Sequence, residues 1–242
     1  MLFKKMRKNL FSNFLDIIFP RFCINCNKEG EYICTNCMLF LSESEFICPA
    51  CQKLSYFGKK HSKCKEKNSL DGLVSFWDYE GIIKMAIHQV KHKKTFHLLE
   101  EIIEKSLFLI EKEDERFSYF ISLLVNKKTY ITFIPMFCEK EKERGFNQSK
   151  IIADYLSNKL EKKLIPLLKR EKNTEPQINL NKKERFLNVE KSFLFISNNY
   201  KVKKVIIVGD IWVSGLTMKE CCRVLKQNGI EEVWGITLAR VN

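Results

Sequence analysis

Between residues 23 and 64 the chain spaces its cysteines in pairs: Cys23-x2-Cys26-x7-Cys34-x2-Cys37, then Cys48-x2-Cys51-x9-His61-x2-Cys64. Two residues between paired cysteines let both sulfurs of a tight turn reach one tetrahedral ion at about 2.3 Å, so each set reads as a metal site. Zn2+ suits the donors, four thiolates in the first set and three thiolates with an imidazole in the second. A redox dithiol is the competing reading of Cys-x-x-Cys, but such a pair normally opens a helix in a βαβ unit, which is absent here. His61 is either the fourth ligand or a bystander. The spacing leaves open which four residues share an ion, and whether one ion or two is held. Sets with no open coordination position are structural rather than catalytic. A module this short buries too little to fold unaided, so the metal supplies much of its folding free energy. We therefore expect two domains, 1–68 and 69–242.

Ten cysteines would also suit a secreted disulfide scaffold, but the start of the chain argues otherwise. It is basic (Lys4, Lys5, Arg7, Lys8), and Ser12, Asn13 and Asp16 interrupt its apolar residues, unlike an export signal. No apolar run reaches the roughly 18 residues of a spanning helix. A cytoplasmic protein is expected, where clustered cysteines serve as ligands. Residues 3–18 align Phe3, Met6, Leu10, Phe14 and Ile17 or Ile18 on one helical stripe. That helix docks on the protein's own body or, through its flanking cations, makes a peripheral contact at the inner membrane. The net charge of +13 favours polyanions and phosphorylated ligands, although a drift toward Lys and Asn along the whole chain contributes to it.

From residue 70 onward the pattern changes. Strands are expected over 73–79, 130–135, 204–208 and 232–238, and helices over 81–91, 95–112, 147–160 and 217–228. Residues 169–190 are polar, with little core pattern. Strands alternating with helices imply an α/β fold with a largely parallel sheet, behind a small zinc-ribbon-like N-terminal module. Cys221 and Cys222 fall mid-helix beside Val224 and Leu225 and read as buried thiols. His88 and His92 sit one helical turn apart, and beside Lys91, Lys93 and Lys94 they suit a basic, solvated face better than a metal site.

The sharpest chemical signal is the apolar run 205–208 followed by Gly209-Asp210-Ile211-Trp212-Val213-Ser214-Gly215-Leu216-Thr217 and a helix. Gly215 lets backbone N–H groups approach a phosphate, Ser214 and Thr217 add hydroxyls, and the helix start adds partial positive charge. Asp210 can accept hydrogen bonds from ribose hydroxyls. An ordinary βα turn with a Thr N-cap is the plainer alternative.

This loop resembles the ribose-phosphate loop of type I phosphoribosyltransferases, usually two acidic residues and then Thr-Thr-Gly-x-Thr. Ile134-Pro135 with Arg144-Gly145-Phe146-Asn147-Gln148 resembles the proline strand and RGFNQ signature of the ComF competence family. Lys169-Arg170, Thr174, Pro176-Gln177, Leu180, Glu184-Arg185 and Asn188-Val189 are similar to a further stretch of that family. The resemblance covers essentially the whole chain. It implies a type I phosphoribosyltransferase-like domain after the zinc module, and a cytoplasmic role with incoming single-stranded DNA during natural transformation. It also implies a pocket for phosphoribosyl pyrophosphate with Mg2+, formed by Asp210, Ser214, Gly215, Leu216 and Thr217, with Arg144 on the pyrophosphate side. Residues 169–190 would be a mobile cover. Lys91, Asn147, Gln148, Arg170, Gln177 and Arg185 are the candidates for nucleic-acid or loop contacts.

Two departures matter. Gly209 stands where the family has a second acidic residue, and Val213 replaces a Thr hydroxyl. Each lost charge-assisted hydrogen bond is worth about 1.5–3 kcal/mol, so ligand binding is expected to survive better than transfer chemistry. Enzyme status stays open, leaning against transfer. The leading reading is a single-strand-handling competence protein. The alternatives are an active phosphoribosyltransferase acting on a base or amine, and a scaffold whose zinc module docks DNA-uptake proteins.

Overall fold

A computed structural model describes residues 20–66, 68–112, 115–173, 182–196 and 201–242. The helix expected over 3–18 lies outside them. After a one-turn helix α1 (Thr35–Met38), the order is β1 (Gly72–Asp78), α2 (Gly81–Lys93), α3 (Phe96–Glu111), α4 (Ser118–Val125), β2 (Thr129–Phe133), α5 (Cys138–Arg144) and α6 (Gln148–Lys159). Then follow β3 (Leu168–Arg170), α7 (Lys182–Val189), β4 (Phe193–Phe195), β5 (Lys204–Trp212), α8 (Leu216–Gln227) and β6 (Glu232–Arg240). No helix among the described residues is long and apolar enough to cross a membrane.

Four parallel strands form the main sheet in the order β1-β6-β5-β2, and β3 pairs antiparallel with β4 beside it. Because successive side chains leave a strand on opposite faces, one apolar run can serve two cores. Ile206 and Val208 join a core with α2, α3, α4 and α6, while Val205 and Ile207 face α8 and the β3–β4 pair. Ser75 and Thr237 hydrogen-bond to each other at 2.8 Å, so these buried hydroxyls satisfy one another.

Three expectations change. Strand β5 runs on to Trp212, because Ile211 and Trp212 still pair with Ala239 and Arg240 of β6; Asp210 therefore lies within the strand and not at its tip. The polar stretch 169–190 contains α7, whose Val189 is buried beneath it. Helices α4 and α5 and the three-residue strands β3 and β4 were not anticipated, being too short to show a period.

The cysteine-rich segment is joined to this body rather than tethered to it. Cys23, Ile33, Cys34, Cys37 and Phe46 belong to the same buried cluster as α2 and α3. The Glu101 carboxylate on α3 accepts the backbone N–H groups of Tyr32 and Ile33, at 3.0 and 2.7 Å. Bridges Glu43–Trp77 and Lys59–Gly72 extend the contact to β1.

Candidate ligand pocket and metal clusters

The donor atoms of Cys23, Cys26, Cys34 and Cys37 lie within 4.8 Å of one another, and so do those of Cys48, Cys51, His61 and Cys64. A tetrahedron with 2.3 Å metal–sulfur bonds has edges of about 3.8 Å. Cys26 and Cys34 sulfurs are 3.5 Å apart, and Cys48 and Cys64 sulfurs 3.9 Å. Both sets could hold a metal ion, and their donors are consistent with zinc. His61 is oriented as a ligand would be: Nε2 lies 2.9 Å from the Leu54 carbonyl, which only accepts, so Nε2 is the nitrogen that carries the proton in the neutral ring. Nδ1 keeps its lone pair and lies 3.4 Å from the Cys51 sulfur, inside the cluster.

Thiol acidity shows the crowding. Burial opposes ionisation of Cys23 and Cys48, yet backbone N–H groups from the turns outweigh it and bring them down to about 6 and about 7. The Asn25 amide favours the Cys37 thiolate, but burial and the neighbouring sulfurs push that group up to about 12; at Cys64, burial and Cys51 and Cys48 push it up to about 11. A divalent cation among them would stabilise all four donors in each set. Among the described residues no third such cluster occurs: the His88 and His92 rings stand 4.2 Å apart on α2 and line a shallow pocket with Lys84 and Lys93. Cys221 and Cys222 are buried, as their mid-helix positions predict.

Residues 144–148 show why five residues in a row carry a signature. Arg144 ends α5. Gly145 takes a left-handed turn (φ +82°) that a side chain would strain. Phe146 drops into the core against Phe96, edge to face at 5.0 Å. Asn147 caps α6 by accepting the Lys150 N–H (3.4 Å) and donates to the Ile134 carbonyl (3.1 Å). Its amide is thus occupied in positioning the turn. Gln148 opens α6, and its Oε1 accepts from the Arg144 guanidinium at 3.0 Å.

That turn walls a cleft of about 230 Å³ beyond the carboxyl ends of β2 and β5, the place where open α/β sheets take ligands. Ile134, Pro135 and Met136 form its apolar side, while Arg144, Gln148, Arg170, Asp210 and Thr217 bring polar groups. Arg170 lies over the Phe193 ring at 5.2 Å, and burial lowers its pKa from the usual guanidinium value. Gln148 is 3% exposed, and its Nε2 has no hydrogen-bond partner. A buried orphan donor costs about 1–3 kcal/mol, so one lining a cavity marks where an acceptor belongs.

The turn from β5 to α8 reaches this cleft through Ile211 and Thr217, while Ser214 and Gly215, expected in the pocket, are not among the residues lining it. Gly215, not Thr217, is the N-cap, with φ +72°, and a Cβ there would collide with the Trp212 ring. Ser214 Oγ accepts the Leu216 N–H at 3.5 Å. Leu216 lines a different cavity, shared with Glu66, Lys219 and Glu220. The second metal cluster leans on the same turn: Gln52 Nε2 donates to the Ser214 carbonyl (3.4 Å) and Lys219 Nζ to the Ala50 carbonyl (3.3 Å). Neither contact was legible in the sequence, because each joins segments more than a hundred residues apart.

Asp210 is held from both sides. Its Oδ2 is 3.0 Å from Lys91 Nζ on α2, and its Oδ1 accepts the Ile211 N–H at 2.9 Å. Burial pushes the carboxyl up, but the Lys91 charge and the backbone N–H outweigh it and hold it below the usual carboxylate range. A depressed carboxyl contributes stability above its unfolded pKa of about 3.9 and loses it as pH falls through the folded value. Urea midpoints of wild type and Lys91→Met should therefore differ by a constant amount from pH 5 to 8 and converge below about pH 4. A difference that vanished between pH 5 and 7 would disprove the pairing. Lys91 was expected on a solvated basic face and instead sits, three-quarters buried, in this pair. Gln177 lies outside the described residues, and Arg185 falls within α7.

Residues 144–242 match the phosphoribosyl transferase domain family. Over 229 residues the chain is 26% identical to Competence protein F of Haemophilus influenzae, covering 90% of this chain and 96% of that protein. Over 213 residues it is 26% identical to Competence protein ComFC of Bacillus subtilis, covering 84% and 81%. The chain is thus similar over most of its length to two competence proteins of the ComF kind, and its second half matches a phosphoribosyl transferase domain. The domain match begins at Arg144 and so contains most of the cleft, while Lys91 and both metal clusters lie ahead of it.

Proposed function

We propose that the cleft binds a phosphorylated ribose of the phosphoribosyl-pyrophosphate type, with Mg2+ accompanying its phosphates, and that the protein handles incoming single-stranded DNA in the cytoplasm during natural transformation. The observation that carries the pocket reading is the buried, unpartnered Gln148 Nε2 in a cleft that also presents Arg144 and Arg170. Donors and guanidinium charge at the ends of parallel strands, beside a glycine turn that opens a helix, suit a phosphate oxygen. In this reading each cysteine cluster holds one structural Zn2+, the first steadying the segment fastened to α3 and the second the turn beside the cleft.

Calorimetric titration of phosphoribosyl pyrophosphate with Mg2+ into the zinc-loaded chain should give saturable binding. Gln148→Leu and Arg144→Ala should each weaken it by about 10- to 100-fold, the worth of one charge-assisted hydrogen bond. No heat with wild type would sink the pocket. Single-stranded oligonucleotides should bind with an affinity that falls steeply with salt, and salt-insensitive or absent binding would sink the nucleic-acid role. The match to a phosphoribosyl transferase domain also favours a second reading, transfer of phosphoribose to a base or amine. Pyrophosphate release across a panel of bases tests it, and silence throughout would count against catalysis.

A further inference from the structure

We propose that this cleft selects its ligand by the phosphate and does not read the sugar hydroxyls, so that 2-deoxyribose phosphates are accepted as readily as ribose phosphates. Lys91 is the residue that sets this selectivity. The inference rests on the reading of the cleft as a sugar-phosphate site and says which sugars enter it.

A sugar hydroxyl is bound most strongly as a donor to a carboxylate whose charge and lone pairs are free to face it. Asp210 is the one carboxylate among the described residues lining the cleft, and each of its oxygens already accepts one contact, Oδ2 from Lys91 at 3.0 Å and Oδ1 from the Ile211 N–H at 2.9 Å, which fixes its orientation and leaves only its second lone pairs. The Lys91 ammonium also cancels the charge that would strengthen a hydroxyl hydrogen bond. Position 209 offers no substitute. As the neighbour of Asp210 in a strand it points to the opposite face, where a Cβ would meet Met218 (3.0 Å), Ile134 (3.1 Å) and Thr237 (3.4 Å). A carboxylate there would sit among apolar groups rather than beside Asp210. Beside the neutral Asn147, Ser149 and Thr217, the cleft carries the guanidinium groups of Arg144 and Arg170 and the orphan N–H of Gln148, which donate and favour anions. Binding energy is therefore directed at phosphate oxygens.

Sites built to hydrogen-bond a hydroxyl reject the analogue lacking it by about 10⁴- to 10⁵-fold, whereas a site that ignores the group barely discriminates. The test titrates ribose 5-phosphate and 2-deoxyribose 5-phosphate into the full-length, zinc-loaded chain. The expected ratio of affinities is within about 3-fold, far from the hydroxyl-reading limit. A preference for the ribose compound of about 100-fold or more would overturn the inference and leave the sugar-phosphate site standing. If neither compound binds, nor phosphoribosyl pyrophosphate, the site itself falls, and the selectivity with it. Lys91→Met frees Asp210 and should create a ribose preference of about 10-fold or more, the worth of one hydrogen bond to a charged group. Lys91→Arg keeps the pair and should create none. Equal ribose preference in both variants would show that the pair is not the device. Should Lys91→Met fail to fold, the wild-type ratio alone decides the matter.

Discussion

Replacing Cys23 or Cys37 by serine is expected to unfold the whole chain, not only the segment that carries them. Both side chains are buried in the same cluster as Ile33, Phe46 and the inner faces of α2 and α3. The turn they build also places the Tyr32 and Ile33 N–H groups on Glu101. Structural zinc contributes about 10–16 kcal/mol to the folding of small metal modules, as much as the entire net stability of a typical domain at about 5–15 kcal/mol. Losing one ligand removes much of that and leaves three sulfurs crowded in a core. Far-ultraviolet circular dichroism during a thermal melt, with zinc counted per chain, provides the measurement. Wild type should carry two ions and melt in one transition. The two variants should be unfolded or melt far lower, and Cys138→Ser, at an exposed thiol, should match wild type. A chain that loses one zinc and keeps its melting temperature would refute the shared core. Chelation should reproduce the same collapse, whereas the second cluster, in which only Cys48 is buried against three buried cysteines in the first, should yield its ion first.

Gly215→Ala is expected to abolish ligand binding while the sheet stays folded. Two costs combine at that position. A left-handed conformation costs a residue with Cβ about 1–2 kcal/mol, and the new methyl would drive into the buried Trp212 ring, adding about 1–3 kcal/mol of overpacking. The turn can relieve both only by moving. It would then release Ser214 from the Leu216 N–H and swing the first turn of α8 away from the cleft. The ligand-free variant should lose a few kcal/mol of stability by urea titration, and phosphoribosyl pyrophosphate should give no detectable heat. Wild-type affinity in Gly215→Ala would mean that the turn does not hold the phosphate. The contrast with Gly229→Ala is instructive. Gly229 also has a positive φ (+86°), but a Cβ there meets nothing, so only the conformational cost applies and binding should persist.

Much of the fold was legible because its signals are local. Residues 205–208 are apolar in a row since both faces of a parallel strand are covered, and the pattern of 81–93 and 96–111 follows one helical face each. Strand β5 was drawn too short because Gly209 and Asp210 look like a turn. Their backbone groups continue the ladder to β6, a pairing that no property of residues 209–212 announces. Helix α7 was missed because Val189 is the one buried residue described on it, and a single apolar contact has no period.

The candidate pocket divides the same way. Arg144, Asn147, Gln148, Arg170, Asp210 and Thr217 were each singled out as site residues, and all six line one cleft. Their separate tasks were hidden: Asn147 caps a helix and ties it to Ile134, Gln148 is oriented by Arg144, and Ser214 serves the backbone of its own turn.

The sequence by itself determined the two ligand sets, the parallel sheet and the glycine turn before α8, because donor spacing, apolar period and left-handed backbone are written within a few residues. Only the tertiary structure decided that His61 presents Nδ1 to its cluster, that Glu101 fastens the first cluster to α3, and that Lys91 holds Asp210. Those contacts depend on which faces of distant segments meet across the sheet. Charge and burial at such a meeting are properties of the packed chain and have no counterpart in the order of its residues.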